Sequence, residues 1–123
     1  MVDMATVLVV DDAMFMRVTI SNMMEQWGYR VVAQAANGQE AIAKFEECEP
    51  DVVTMDVTMP IMNGIDAVKT IMERNPDAKI VMITALGQQK LIKQALAYGA
   101  KDFVTKPFDP VHLKEVIDNV LTL

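Results

Sequence analysis

Val52-Val53-Thr54-Met55-Asp56-Val57-Thr58-Met59-Pro60-Ile61-Met62-Asn63-Gly64 is the stretch that decides how this chain folds. It begins as a short, mostly apolar run with β-branched residues, the pattern of a strand buried on both faces. Asp56 stands at the end of that run, and Pro60 with Asn63-Gly64 then breaks the chain into a loop. Strands covered on both faces belong to parallel sheets, where ligands bind in the crevice beyond the C-terminal strand ends. Asp56 is therefore a candidate site residue. Alone, it is more readily explained as an aspartate that caps the next turn. The decision rests on the residues that the rest of the chain sets beside it.

Upstream, residues 6–10 form a second apolar strand that runs into Asp11-Asp12. Met16, Ile20, Met23, Met24 and Trp27 then recur at helical spacing, and Gly28 suits the position just past a helix end. Residues 31–35 are a shorter strand interrupted by the polar Gln34, as at a sheet edge. Asn37 and Glu40 make a capping pair for a second helix that turns Ala41, Ile42 and Phe45 inward and runs to about Cys48.

Downstream of Gly64, Ile65, Val68, Ile71 and Met72 mark a third helix, closed by Asn75-Pro76. Residues 79–84 are a fourth strand ending in Thr84, and residues 88–98 a helix with Leu91, Ile92 and Ala95 inward. Phe103-Val104-Thr105 is a brief fifth strand that stops at Lys106-Pro107. Pro110 opens a last helix carrying Leu113, Val116, Ile117, Val120 and Leu121 on one side. Strand and helix alternate five times, which implies one doubly wound α/β domain over residues 1–123, with helices on both faces of a parallel sheet.

Composition narrows the function. The 123 residues are 52% hydrophobic and carry a net charge of −6, an acidic balance that argues against nucleic acid and anionic membranes as partners. The single cysteine, Cys48, excludes an internal disulfide and a Cys-rich zinc site. No basic leader precedes a long apolar run, and no run approaches the length of a membrane span, so a cytoplasmic protein is expected. Most of the 11 methionines fall on faces expected to be buried. His112, the sole histidine, has no second ligand type nearby and reads as a surface residue.

The strand ends carry the chemistry. Asp11 and Asp12 follow the first strand, Asp56 ends the third, Thr84 the fourth, and Lys106 follows the fifth. In a parallel sheet these ends share one rim. Two carboxylates about 4 Å apart repel by about 4 kcal/mol at an effective dielectric near 20, so three need protons or a cation. Oxygen ligands of this kind suit Mg²⁺, or Mn²⁺ in its place. Lys106 offers a compact positive charge to a phosphate oxygen, Thr84 a hydroxyl donor, and Asp56 a carboxylate nucleophile.

Val7-Leu8-Val9-Val10-Asp11-Asp12, Met55-Asp56-Val57-Thr58-Met59-Pro60 with Asn63-Gly64, Ile83-Thr84-Ala85 and Val104-Thr105-Lys106-Pro107-Phe108 together resemble the receiver domains of two-component response regulators. The resemblance spans essentially the whole chain and implies a flavodoxin-like (βα)5 domain with strand order 2-1-3-4-5. That order is the one CheY itself exemplifies, so it comes with the resemblance rather than from the residues. The same resemblance implies that Asp56 takes a phosphoryl group from a histidine kinase. Asp12 and Asp56 would bind Mg²⁺ directly, Asp11 mainly through water or orientation, and the Thr58 backbone carbonyl would add a ligand. Lys106 and Thr84 would hold the phosphoryl oxygens, with Ala85 leaving room beside them. The Lys106-Pro107 bond is expected to be cis.

A switch is implied as well. Thr84 would turn to the phosphoryl group and the aromatic residue of the fifth strand would rotate after it, altering the face made by the fourth helix, fifth strand and fifth helix. Many chemotaxis members carry Tyr there, whereas this chain has Phe103, so the coupling must run through packing.

Asp11-Asp12-Ala13-Met14-Phe15-Met16-Arg17 and Gly87-Gln88-Gln89 look most like chemotaxis regulators of the CheY type, which have no output domain. The implied partners are a chemotaxis kinase, the flagellar motor switch and a phosphatase, with the chain acting as a monomer. It would not be an enzyme beyond its own phosphoryl transfer and autodephosphorylation, whose attacking water Thr58 and Leu86 would influence. A phosphorelay intermediate that hands the group to a histidine phosphotransfer protein is the other reading within the family. An aspartate-nucleophile phosphatase needs an acid two residues past its nucleophile, where this chain has Thr58. A flavin-binding relative needs a Gly- and Ser/Thr-rich loop where this chain has Asp11-Asp12-Ala13-Met14.

Overall fold

A computed structural model describes residues 4–123. Five strands alternate with five helices: β1 (Thr6–Val10), α1 (Met14–Gln26), β2 (Arg30–Ala35), α2 (Gly38–Cys48), β3 (Val52–Asp56), α3 (Gly64–Arg74), β4 (Ile80–Ala85), α4 (Gln89–Tyr98), β5 (Asp102–Lys106) and α5 (Pro110–Leu121). The strands form one sheet in the order β2-β1-β3-β4-β5, and every pairing is parallel. All five residues of β3 are buried, as an apolar run at the centre of a parallel sheet requires. β2 lies at an edge, is only partly covered, and its register against β1 slips between Val7 and Leu8, where Val32 is passed over.

Two apolar layers clasp the sheet. On one face Leu8, Val53, Met55, Ile80 and Met82 meet Ala41 and Phe45 of α2, Ile65, Val68 and Ile71 of α3, and Ile92 and Ala95 of α4. On the other, Val7, Val9, Val52, Val81 and Ile83 meet Ile20 and Met24 of α1 and Leu113, Val116, Ile117 and Val120 of α5. Alternate residues of each strand thus feed opposite layers. Met24, Met55, Met59 and Met82 are buried in them, while Met14 is 69% exposed. Trp27 packs at the end of α1 and Cys48 is half-buried, while His112 is exposed.

The helix ends are built largely as the local chemistry dictates. Asn37 Oδ1 accepts the Glu40 N–H at 2.9 Å, and the Glu40 carboxylate turns back to the Ala36 N–H at 3.1 Å. Past α1, Gly28 adopts φ +90° while the Tyr29 and Gly28 N–H groups return to the Met24 and Glu25 carbonyls. Asn63-Gly64, which reads as a turn, is instead the start of α3: Asn63 accepts the Asp66 N–H at 2.9 Å and Gly64 is the first helical residue. The strands also run slightly past their apolar stretches, because Ala85 pairs with Lys106 in the ladder. Among the described residues no helix is long and apolar enough to cross a membrane.

Candidate functional site

The ladder sets the height of each strand end. Val10 pairs with Met55, so Asp11 and Asp56, the next residue on each strand, leave the sheet at one level. Asp56 pairs with Ile83, which sets Thr84 one step further out. Lys106 starts two strands away from β3, and its long stem carries the ammonium back over the end of β4.

Asp11, Asp12 and Asp56 converge. One carboxylate oxygen from each lies within 4.8 Å of the others. Lys106 Nζ donates to Asp11 Oδ2 at 2.7 Å and to Asp56 Oδ1 at 3.3 Å. Three carboxylates against one ammonium leave two negative charges, which a divalent cation would balance. The donor set of hard oxygens is the kind that Mg²⁺ or Mn²⁺ takes.

The two buried acids are held differently. Asp11 is 1% exposed and pinned on every side. Its Oδ1 accepts the Ala13 N–H at 2.9 Å, its N–H donates to the Ala35 carbonyl, and its own carbonyl accepts Arg17 Nη1 at 2.7 Å. Asp56 is also buried, yet among the described residues its hydrogen bonds fall on Oδ1, from Lys106 and from the Val57 N–H at 2.9 Å. Its Oδ2 accepts no hydrogen bond among the described residues. Burial, and then the Asp11 carboxylate, push the Asp56 pKa up to about 6 against the pull of Lys106. Burial works against the Lys106 ammonium, but its hydrogen bond to Asp11 and the charge of Asp56 outweigh it and hold its pKa above the usual 10.5.

The other residues singled out in the sequence stand around this centre. Thr84 is buried, and its hydroxyl donates to Gln88 Oε1. Thr58 is exposed, and its hydroxyl accepts Gln88 Nε2 at 2.8 Å. Thr84, exposed Ala85 and Phe103 line a cavity of about 380 Å³ with Leu86, Ile92 and Leu96. The Lys106–Pro107 bond is cis.

Three contributors are not legible from local pattern. Gln88 reads as an ordinary solvated residue at a helix start, and Thr58, one of its two partners, is remote in sequence. Arg17 lies six residues from Asp11, a spacing with no regular meaning once a loop intervenes. Gly64 reads as a turn residue, but a Cβ there would stand 2.0 Å from the Asp56 carbonyl oxygen. It lets α3 begin directly beneath the acid.

The profile of the response regulator receiver domain family matches residues 7–118. The chain belongs to that family. Among its relatives, the receiver is 50% identical over 114 residues to the chemotaxis protein CheY of Thermotoga maritima, covering 93% of this chain and 95% of that one. It is 46% identical to the CheY of Listeria monocytogenes over 115 residues, covering 94% and 97%. A CheX-CheY-BeF3-Mg complex from Borrelia burgdorferi contains a chain that superposes with a TM-score of 0.90 at 36% identity, covering 94% of this receiver and 88% of that chain.

Proposed function

We propose that this receiver domain is a chemotaxis response regulator in which Asp56 accepts a phosphoryl group from the phosphohistidine of a chemotaxis-type kinase. The observation that supports it best is the convergence of Asp11, Asp12 and Asp56 under a single ammonium from Lys106. Asp56 Oδ2 forms the new O–P bond as the P–N bond to the kinase histidine breaks, and the departing imidazole takes a proton from water. Lys106 moves its charge from the carboxylates to a phosphoryl oxygen, and the Thr84 hydroxyl donates to another.

Asp12, Asp56 and the Thr58 backbone carbonyl would hold Mg²⁺, with Asp11 acting mainly through water or by orienting the site. When bound, the cation neutralises charge on the carboxylates and on the transferring group. The output depends on the apolar cavity beside Thr84. Phe103 is 40% exposed on that cavity's wall, so it can rotate inward when Thr84 shifts, changing the face made by α4, β5 and α5. That face would bind the flagellar motor switch, and a phosphatase would reset the site.

The test is Mg²⁺-dependent labelling by a phosphorylated chemotaxis kinase or by acetyl phosphate. Wild type is expected to label and Asp56→Asn to stay unlabelled, with motor-switch protein captured only by the labelled form. Labelling that persists in Asp56→Asn would overturn the assignment. Capture of a histidine phosphotransfer domain in place of the motor switch would identify a phosphorelay intermediate.

A further inference from the structure

The side-chain amide of Gln88 spans two loops of the site. Its Oε1 accepts the Thr84 hydroxyl, on the β4–α4 side, and its Nε2 donates to the Thr58 hydroxyl at 2.8 Å, on the β3–α3 side. In this arrangement Thr84 is the donor and Thr58 the acceptor, roles that a hydroxyl can fill equally well. Gln88 is also the residue that caps α4, with its carbonyl accepting the Ile92 N–H at 3.0 Å. One residue therefore ties the phosphoryl-binding hydroxyl, the loop after Asp56 and the first turn of α4 into a single unit.

We propose that Gln88 is an off-state latch, a positioning residue whose amide competes with the phosphoryl group for the hydroxyl proton of Thr84. The inference rests on the reading of Asp56 as phosphoryl acceptor and adds a regulatory residue to it. Thr84 has one hydroxyl proton. Given to Gln88, with the Ala85 carbonyl at 3.3 Å as the weaker alternative, that proton cannot also reach a phosphoryl oxygen. Activation therefore breaks the bridge at its Thr84 end. The freed amide releases the start of α4, which borders the cavity that Phe103 enters. Input and output are coupled because the same hydrogen bond closes one state and is forbidden in the other.

The probe is beryllofluoride with Mg²⁺, a phosphoryl mimic, titrated into wild type, Gln88→Met, Thr58→Val and the double variant. Gln88→Met keeps the length of the side chain and removes both hydrogen bonds, whereas Thr58→Val cuts the bridge at its other end. One net hydrogen bond corresponds to about a three- to tenfold change in affinity. Gln88→Met is expected to bind beryllofluoride tighter by that factor, Thr58→Val by less, and the double variant no tighter than Gln88→Met alone. Mg²⁺ affinity without beryllofluoride should be the same in Gln88→Met as in wild type, which a general loosening of the site would not leave intact. Equal or weaker beryllofluoride binding by Gln88→Met, or gains that add in the double variant, would overturn the latch. Thr58→Val tests the bridge on its own if Gln88→Met folds poorly. Absence of Mg²⁺-dependent beryllofluoride binding by wild type would instead strike the assignment of Asp56.

Discussion

Asp56 carries a cost in stability that its chemistry explains. Its carboxyl is raised from 3.8 to about 6 by burial and by Asp11, so the folded state holds a proton that the unfolded state releases between those values. Stability therefore falls as pH rises through that window, and the full deficit is present above about pH 6. With solvent reaching part of the site, the deficit is about 1–2 kcal/mol. Asp56→Asn should melt several degrees above wild type at pH 7.5 in a chelator, and the gain should vanish near pH 4, as thermal melts at the two pH values would show. Thr54 carries a second cost, of a different kind. It is fully buried between Val9 and Val81, and its hydroxyl has no hydrogen-bond partner among the described residues. Thr54→Val should stabilise the domain by about 1 kcal/mol in urea unfolding, because an unpartnered hydroxyl is exchanged for a methyl of the same shape.

At the scale of elements, the junction between β3 and α3 is the tightest in the site. The Gly64 N–H donates to the Val57 carbonyl at 2.8 Å, and a Cβ on Gly64 would collide with backbone, which cannot move aside as a side-chain tip could. Gly64→Ala should cost about 2 kcal/mol or more and lower labelling of Asp56, because the strand end must shift. Gly28 is the control. Its φ of +90° is unsuited to alanine, but nothing lies within 4 Å of a Cβ there. Gly28→Ala should cost about 1 kcal/mol and leave labelling unchanged. The ranking of the two urea midpoints, with labelling measured beside them, checks both. The elements themselves are legible because each has a local signature: five apolar runs, five amphipathic stretches, a capping pair at Asn37 and a first-turn proline at Pro110. Asn63-Gly64 misleads because the same dipeptide serves a turn or a helix start, and only its surroundings in space separate the two.

For the whole molecule, the proposed function would have the sheet link an input rim to an output face. Phe103→Ala should leave labelling of Asp56 intact and weaken capture of the motor-switch protein by about fivefold or more, measured on the phosphorylated protein. Equal affinity would show that packing at β5 does not carry the signal. The order of residues is enough to establish the alternation of strands and helices and the set of acids, hydroxyl and ammonium at the strand ends, because periodicity and turn chemistry act over a few residues. Only the folded chain settles that three carboxylates lie within 4.8 Å, that Lys106 reaches Asp11 across 95 positions, and that Gln88 joins Thr58 to Thr84. Those distances depend on ladder register and on crossovers that bring remote segments together, and no local pattern encodes them. Asp56 shows the division most plainly: its neighbours in sequence allow a turn, and its neighbours in space set its buried carboxylate against two other acids and the Lys106 ammonium.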